Sequence, residues 1–252
     1  MSKSVKMARK PSRKKGENMK KFSIAAVLAA SLVSSAVAID LDGVFVGAEG
    51  KYNFKSELET SLNLPTLGFS RSFNADESSF GLGLKVGYDF DFMRVYGAYN
   101  HNFEAKATDI GLVAALVGMA IPEELKYSGN DFILGADWTP KFSLAGLDFK
   151  GILGAFAGIS KIDVDYSIAD SLGSVKLDYS QDGFIYGLKL GAIYEAAKQH
   201  EIEFGFKFDS AKYDDKDTTM VECSGTCVYE PAKISDAKRT NMGVFVGYNY
   251  KF

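Results

Sequence analysis

The sequence predicts an all-β fold: an antiparallel up-and-down barrel of eight strands that crosses a membrane. Three observations support this. Apolar and polar residues alternate in eight segments, short and long connections alternate between them, and a secretory leader precedes them. Alternation at every second residue is typical of a strand with two different faces. The 25 glycines, 13 tyrosines, 19 phenylalanines and five prolines also suit a chain rich in strands.

Residues 1–38 have the features of a basic extension followed by a signal peptide. Two lysines precede a short apolar run at 22–33, and an A-V-A cleavage site ends at Ala38. The leader is excluded from the fold prediction. We therefore expect cleavage after Ala38 and a single domain over residues 39–252.

The charge of the mature chain argues against a nucleic-acid partner. Removing residues 1–38 takes away nine of the 29 basic residues and one of the 32 acidic residues, which leaves a net charge of −11. The start of translation is open between Met1 and Met19. After residue 40 no run of eighteen unbroken apolar residues occurs, so no transmembrane helix is expected in the mature protein.

The alternation is clearest in the second segment, F-G-L-G-L-K-V-G-Y-D-F at 80–90. Its apolar residues share one face, and its glycines, Lys85 and Asp89 share the other. Each segment is close to the ~9–11 residues that a tilted strand needs to cross a bilayer. In chain order the eight segments are 43–55, 79–90, 93–104, 131–138, 147–160, 183–195, 201–209 and 242–252.

The connections between the segments follow a second rule. Those after the second, fourth and sixth segments are short, whereas those after the other segments are long, at roughly 20 to 30 residues each. All five prolines lie outside the segments, as a hydrogen-bonded sheet requires. Short turns at one end and long loops at the other are typical of an outer-membrane barrel with both termini in the periplasm. An extra hairpin from residues 56–78 would give ten strands instead.

Backbone hydrogen bonding explains why such a chain would close on itself. Hydrocarbon offers no hydrogen-bond partners, so a sheet within it must leave no edge. The apolar faces would then contact lipid and the polar faces would look inward. The inward faces carry, in segment order, Glu49 and Lys51; Lys85 and Asp89; Arg94 and Glu104; Asp137; Lys150; Lys189 and Glu195; Glu203 and Lys207; and Lys251.

The chain ends on alternating aromatic residues, Tyr248, Tyr250 and Phe252, on the lipid-facing side of the last segment. With the leader, the eight segments and the loop asymmetry, this end makes residues 39–252 resemble the small eight-stranded outer-membrane barrels of the OmpA/OmpX type and related surface-antigen families. The resemblance implies a bacterial outer-membrane location among outer-membrane lipids. It also implies an aromatic C-terminal signal for the barrel-assembly machinery. Full OmpA-like proteins continue beyond the barrel, whereas the last segment here reaches Phe252, so we expect no peptidoglycan-binding domain.

The inward charges have three possible roles. An eight-stranded barrel is just wide enough to be filled by its own side chains, and both signs are present, so the charges can pair as a plug. A narrow gated channel and acid–base chemistry between carboxylates are the alternatives. The inward glycines leave room for long charged neighbours; they are Gly81, Gly83, Gly87, Gly187, Gly191, Gly243 and Gly247.

Apolar parity reverses in the loop between the fifth and sixth segments. In 162–168 and 175–179 the apolar residues take the inward parity and the charged residues take the outward parity. This pattern predicts a hairpin that leaves the membrane and continues into water, and a paired bulge is the alternative. The inward set is Ile162, Val164, Tyr166, Val175, Leu177 and Tyr179, and the outward set is Asp163, Asp165, Lys176 and Asp178.

Two other loops carry distinct features. Residues 109–122 are apolar but too short to span a bilayer as a helix, so they form either a short helix packed on the barrel mouth or an exposed patch for a host surface, a lipid or a protein. Cys223 and Cys227 lie in the last loop, and an exported protein favours a disulfide between them. The nearby acidic residues of 214–217 would bind a divalent cation only weakly and are better explained as a solvated face.

We expect a structural surface protein without a cofactor or a metal site. A plugged barrel would display its loops for adhesion or envelope integrity, with a host or surface ligand as the partner. A small porin or solute channel is the first alternative, and a lipid-modifying enzyme of the outer membrane is the second. The histidines, His101 and His200, do not support catalysis, because the strand around His101 holds no serine near it.

Overall fold

The computed structural model describes residues 41–108, 123–170, 173–224 and 226–252. The signal-peptide prediction for 1–38 and the prediction for 109–122 lie outside these residues. The described chain is almost entirely β-strand, and no helix in it is long and apolar enough to cross a membrane. The strands are β1 (Val44–Leu64), β2 (Phe69–Asp89), β3 (Met93–Thr108), β4 (Glu123–Trp138), β5 (Lys141–Leu144), β6 (Leu147–Asp170), β7 (Gly173–Ala197), β8 (His200–Tyr213), β9 (Lys216–Ser224) and β10 (Thr226–Lys251).

The strands close into an antiparallel ring. Going round it, β1 pairs with β2, β2 with β3, β3 with β4, β4 with β6, β6 with β7, β7 with β8, β8 with β10, and β10 with β1 again. Every long strand therefore has a hydrogen-bonded neighbour on both sides within the ring, as a sheet in hydrocarbon requires. The predicted antiparallel barrel is confirmed.

Two of the ten strands are additions to the eight that form the ring. The short β5 pairs with β6 at the short-turn end. Strand β9 continues β8, because both pair with β10 in one register, Lys212 with Lys238 and Lys216 with Ile234. The alternative of an extra hairpin at 56–78 is not what the structure shows, since those residues lengthen β1 and β2.

The connections expected to be long loops are largely strand. The β1–β2 hairpin turns only at Pro65–Leu67, followed by Gly68 with φ +61°, a left-handed conformation that favours glycine. The β6–β7 ladder runs from Phe149 opposite Tyr194 to Asp170 opposite Gly173 with no register shift. We call the strand residues in these connections the extension; they are 56–64, 69–78, 105–108, 123–130, 161–170, 173–182, 210–213, 216–224 and 226–241. The remaining strand residues, which carry most of the large apolar side chains exposed on the outer surface, form the belt. The interior of the extension is largely apolar, so these strands pack around a hydrophobic core, as strands surrounded by water require.

The reversed parity at the β6–β7 hairpin is confirmed. Ile162, Val164, Tyr166, Leu177 and Tyr179 are buried, and Val175 packs against the same core. The continuous register excludes the paired bulge that was the alternative. The strands therefore pass without interruption from a membrane-type segment, apolar outside, to a water-type segment, apolar inside.

A conservative pair of substitutions on β6 tests this change of environment. Ile162 is 0% exposed in the extension, whereas Ile159 is 65% exposed on the belt. Ile162→Val is expected to lower the free energy of unfolding by about 1 kcal/mol, because it removes a buried methylene from a packed core. Ile159→Val is expected to change it by less than about 0.5 kcal/mol, and denaturant unfolding of the barrel in detergent measures both. An equal loss of unfolding free energy at the two positions would contradict the assignment of Ile162 to a buried core and Ile159 to the outer surface.

Candidate functional site

The barrel interior beside the apolar belt is filled with charge. Among the described residues, seven cationic and eight anionic side chains are buried, so the two signs nearly balance. Buried charges are tolerated only when they are paired and hydrogen-bonded. The cations are Lys51, Lys85, Arg94, Lys150, Lys189, Lys207 and Arg239; the anions are Glu49, Asp89, Glu123, Asp131, Asp137, Glu201, Glu203 and Asp209.

The lower cluster, at the short-turn end, is organised around Arg94 and Asp89. Nη2 of Arg94 donates to Oδ2 of Asp89 at 2.9 Å and to both carboxylate oxygens of Glu201, at 2.6 and 2.7 Å. Asp89 also accepts from Lys150 at 3.3 Å and from Lys251 at 3.1 Å. One carboxylate thus joins its own strand to three others at this end of the barrel.

The middle cluster links two glutamates to three lysines. Glu49 accepts from Lys189 at 3.1 Å and from Lys207 at 2.9 Å, and Lys85 donates to Glu203. The ammonium of Lys189 also lies 4.4 Å from the ring centre of Phe245, a cation–π contact. A cavity of about 10 Å³ beside these groups is no larger than one water molecule needs.

The upper cluster borders the apolar core of the extension. Nη2 of Arg239 donates to Oδ1 of Asp131 at 2.8 Å, and Ser160 donates to the same oxygen at 2.6 Å. Asn102 donates to the other carboxylate oxygen of Asp131 at 2.8 Å. The carboxylate of Asp131 is therefore hydrogen-bonded through both oxygens where the polar interior meets the apolar core.

Above the upper cluster, the extension is filled by aliphatic and aromatic side chains. Leu58, Leu62, Leu125 and Ile234 are among its most buried members. The hydroxyl of Tyr127 donates to the backbone carbonyl of Ser56 at 2.6 Å. Burial raises the pKa of Tyr127 to about 12, so this donor stays protonated at any physiological pH. The interior is thus occupied by charge at one level and by apolar side chains at the next.

Most of the predicted inward charges are buried, and three are placed differently. Glu104 is exposed, because a register shift between Asn102 and Ala105 in the β3–β4 ladder exchanges the two faces of β3. Glu195 is half-exposed at the short-turn rim, where it pairs with Lys150 at 2.9 Å. Lys251 is only partly buried at the same rim, because it lies at the end of β10.

Five buried charges were missing from the predicted set. Asp131, Glu201 and Asp209 have the inward parity of their own segments, so extending the parity count would have found them. Arg239 and Glu123 lie outside the eight segments, in strand extensions that were expected to be loops. Arg239 follows a second register shift, between Glu59 and Ser61 on β1 opposite it, which parity alone does not reveal.

Glycine makes room for these long side chains at two clear positions. A Cβ added to Gly81 would lie 2.6 Å from Cε of Lys51, and one added to Gly247 would lie 2.8 Å from Cγ of Glu203. Either contact would force the charged side chain out of its place. The two positions lie on the inward face, as the sequence indicated.

The aromatic end of β10 lies beside the first strand. Tyr248 is exposed on the outer face, and Tyr250 stacks edge-on against both His200 and Phe252. The backbone N–H of Phe252 donates to the carbonyl of Val44 at 2.9 Å. Recognition of Tyr248, Tyr250 and Phe252 by the assembly machinery stays a prediction.

The hairpin between β9 and β10 contains the cysteines. Cys223 and Cys227 are register partners and are joined by a disulfide. Next to it, Val228 and Tyr229 are exposed. Among the described residues no group of three or more His, Cys, Asp or Glu side chains is placed to hold a metal ion. Of the acidic residues near 214–217, Asp215 pairs with Lys233 at 3.1 Å.

The histidines lie apart at opposite ends of the belt. Nδ1 of His101 is 2.9 Å from Oδ1 of Asn130, and Nδ1 of His200 is 2.5 Å from the hydroxyl of Tyr248. The absence of a catalytic role stays a prediction.

The outer surface of the ring is apolar at the level of the charged interior. A belt of exposed large apolar side chains surrounds the charged interior; Leu134 is 74% exposed, and Leu190 and Phe206 are each 61% exposed. Contiguous apolar surface of this kind is costly in water and stable in hydrocarbon. A closed antiparallel ring with polar inside and apolar outside is a transmembrane β-barrel of the bacterial outer-membrane type.

Comparison with known proteins finds similarity to solved structures only. No protein-family model and no curated protein matches the sequence. The structure is similar to a major outer membrane protein from Thermus thermophilus, at 12% identity and a TM-score of 0.45, over 82% of this chain and 99% of that one. It is also similar to the outer membrane protein OprG from Pseudomonas aeruginosa, at 16% identity and a TM-score of 0.45, over 84% of this chain and 96% of that one. The attachment invasion locus protein Ail of Yersinia pestis matches at 15% identity and a TM-score of 0.35, over 82% and 99%.

Proposed function

We propose that this chain is a closed outer-membrane barrel that does not transport solutes. Its function is surface contact or envelope integrity, and the extension, which lies outside the bilayer, performs it. The observation that carries the proposal is the doubly filled interior. Seven buried cations and seven buried anions lie between the short-turn end and the upper cluster. The apolar core of the extension occupies the level above, where the eighth buried anion, Glu123, lies opposite Ile168. An ion would have to cross both.

The extension supplies the surface for such contacts. Its strands are polar outside, and the disulfide-closed hairpin of β9 and β10 exposes Val228 and Tyr229. Continuous pairing from the belt to the tip makes these hairpins a rigid display rather than flexible loops. A host or surface ligand bound there is the partner that this arrangement favours, with outer-membrane lipids around the belt.

Conductance in planar bilayers separates this function from the porin alternative. We expect the purified barrel to add no steady openings to the membrane, because each passage level is filled. The matched control is the same preparation after heat unfolding, which reports leakage from the detergent. Steady openings in the nanosiemens range, with a frequency that rises with the amount of folded protein, would show a channel and overturn the proposal.

A further inference from the structure

Two lysines oppose each other across neighbouring strands on the outer surface. Lys212 on β8 and Lys238 on β10 are direct register partners. Both face outward, because they alternate with buried neighbours such as Ala211 and Arg239. Directly opposed side chains have Cβ atoms about 4.5–5.5 Å apart, and like charges in this arrangement are destabilising. An anion between the two ammonium groups would convert the repulsion into attraction.

A second lysine pair in the same barrel shows how such repulsion is normally offset. Lys106 and Lys126 are also register partners, on β3 and β4, but each lies 2.6 Å from a carboxylate oxygen of Glu124. In contrast, Lys238 has only a 3.8 Å contact with the half-exposed Glu59, and Lys212 makes no ion pair within 4 Å among the described residues. Glu59 is the register partner of Lys238 on β1, so Lys238 is partly compensated, whereas no carboxylate of the described residues lies within 4 Å of Lys212.

The position of the pair indicates what kind of anion it meets. On β7, the register partner of Lys212 is Phe184, an exposed residue of the apolar belt. Below the lysines on the same face, Phe208 and Met242 form an exposed apolar pair. Lysines at the edge of a lipid-facing surface reach the headgroup layer, where lipid phosphates lie.

A buried hydroxyl on this face gives a second observation. Ser210 lies between the apolar pair and Lys212, is 3% exposed, and its Oγ has no hydrogen-bond partner among the described residues. Its register partner is Thr240. Hydroxyl groups beside paired lysines are the donors that a phosphate oxygen accepts from.

We propose that Lys212 and Lys238 bind the phosphate of an anionic lipid headgroup, in the leaflet at the extension end of the barrel, with an acyl chain lying along Phe208 and Met242. The shared chemistry is a phosphate anion, and the apolar pair directly below it identifies the source as a lipid. The barrel would thereby hold a lipid at a fixed place on its circumference.

Lipid binding to the purified barrel in an uncharged detergent tests the proposal. Native mass spectrometry counts the adducts as phosphatidylglycerol or phosphatidylcholine is added, and circular dichroism follows the melting temperature. The wild type is expected to prefer phosphatidylglycerol and to melt at a higher temperature with it. The Lys212→Gln/Lys238→Gln variant is expected to bind phosphatidylglycerol about 30-fold more weakly. This follows because each lysine near an anionic surface contributes roughly 1 kcal/mol, and two are removed.

The controls keep the test specific. Lys106→Gln/Lys126→Gln removes the same charge from a compensated pair and is expected to leave phosphatidylglycerol binding unchanged. In lipid-free detergent the Lys212→Gln/Lys238→Gln barrel is expected to melt no lower than the wild type, because the substitution also removes the repulsion. Equal lipid binding by the two double variants overturns the proposal. So does stabilisation of the wild type by inorganic phosphate alone to the extent that the lipid gives.

Discussion

Arg94→Met is expected to lower the free energy of unfolding by about 3–5 kcal/mol, the cost of removing one partner from a buried ion pair. Arg94 is almost completely buried and donates to both oxygens of Glu201 and to Asp89. Asp89 would keep Lys150 and Lys251 as partners. Glu201, which is 1% exposed, would lose the ion pair that the structure gives it. The penalty therefore falls on Glu201.

A second substitution separates the cost of the orphaned charge from the loss of packing. Arg94→Met/Glu201→Met removes both charges and fills the space with apolar side chains, so we expect it to recover most of the lost stability. Trp138, the only tryptophan, is on the strand beside Arg94, and its fluorescence can report unfolding in denaturant. Arg71→Met, at an exposed site, is the control and should change stability by less than about 0.5 kcal/mol. A double variant as unstable as Arg94→Met would contradict the pairing role.

Much of the membrane-embedded half could be predicted from residue alternation, for a physical reason. Lipid contacts one face of each strand at every second residue, so Leu82, Leu84 and Val86 must be apolar while Lys85 need not be. The same rule predicted the ring, because a strand sheathed in hydrocarbon on one face must pair on both edges. These features depend only on local sequence and on the bilayer.

The extension and its bulges could not be obtained in the same way. Beyond the belt, the apolar side of each strand turns inward, and a search for lipid-facing residues therefore stops at Phe54 on β1 and treats the rest of that strand as loop. Only in the β6–β7 hairpin, at 162–168 and 175–179, is the alternation with reversed parity clear enough to predict strands. At Glu104 a single register shift reverses the two faces, and this shift depends on pairing with β4 rather than on residues of β3 alone. The upper cluster around Arg239 and Asp131 lies at the boundary between the belt and the extension, and for this reason the prediction from alternation did not include Arg239.

Val86→Arg is expected to lower the free energy of unfolding by about 2–4 kcal/mol, the cost of an arginine on a lipid-facing position near the bilayer midplane. Val86 is exposed on β2 and is flanked by Val46 on β1 and Gly97 on β3, both on the belt side of the ring. The guanidinium would have to remain in hydrocarbon or draw water and headgroups toward it. Reversible unfolding from lipid vesicles, where the bilayer persists, measures this cost.

The same strand offers a matched control outside the bilayer. Ser70 shares the outward face of β2 with Val86 but lies in the extension, where it is exposed. Ser70→Arg places the same side chain in water and should change stability by less than about 0.5 kcal/mol. The difference between the two variants isolates the contribution of the lipid, because strand, face and introduced residue are the same. If both arginines cost the same in vesicles, the belt does not contact hydrocarbon at Val86, and the assignment of the charged side as the interior of a membrane barrel fails with it.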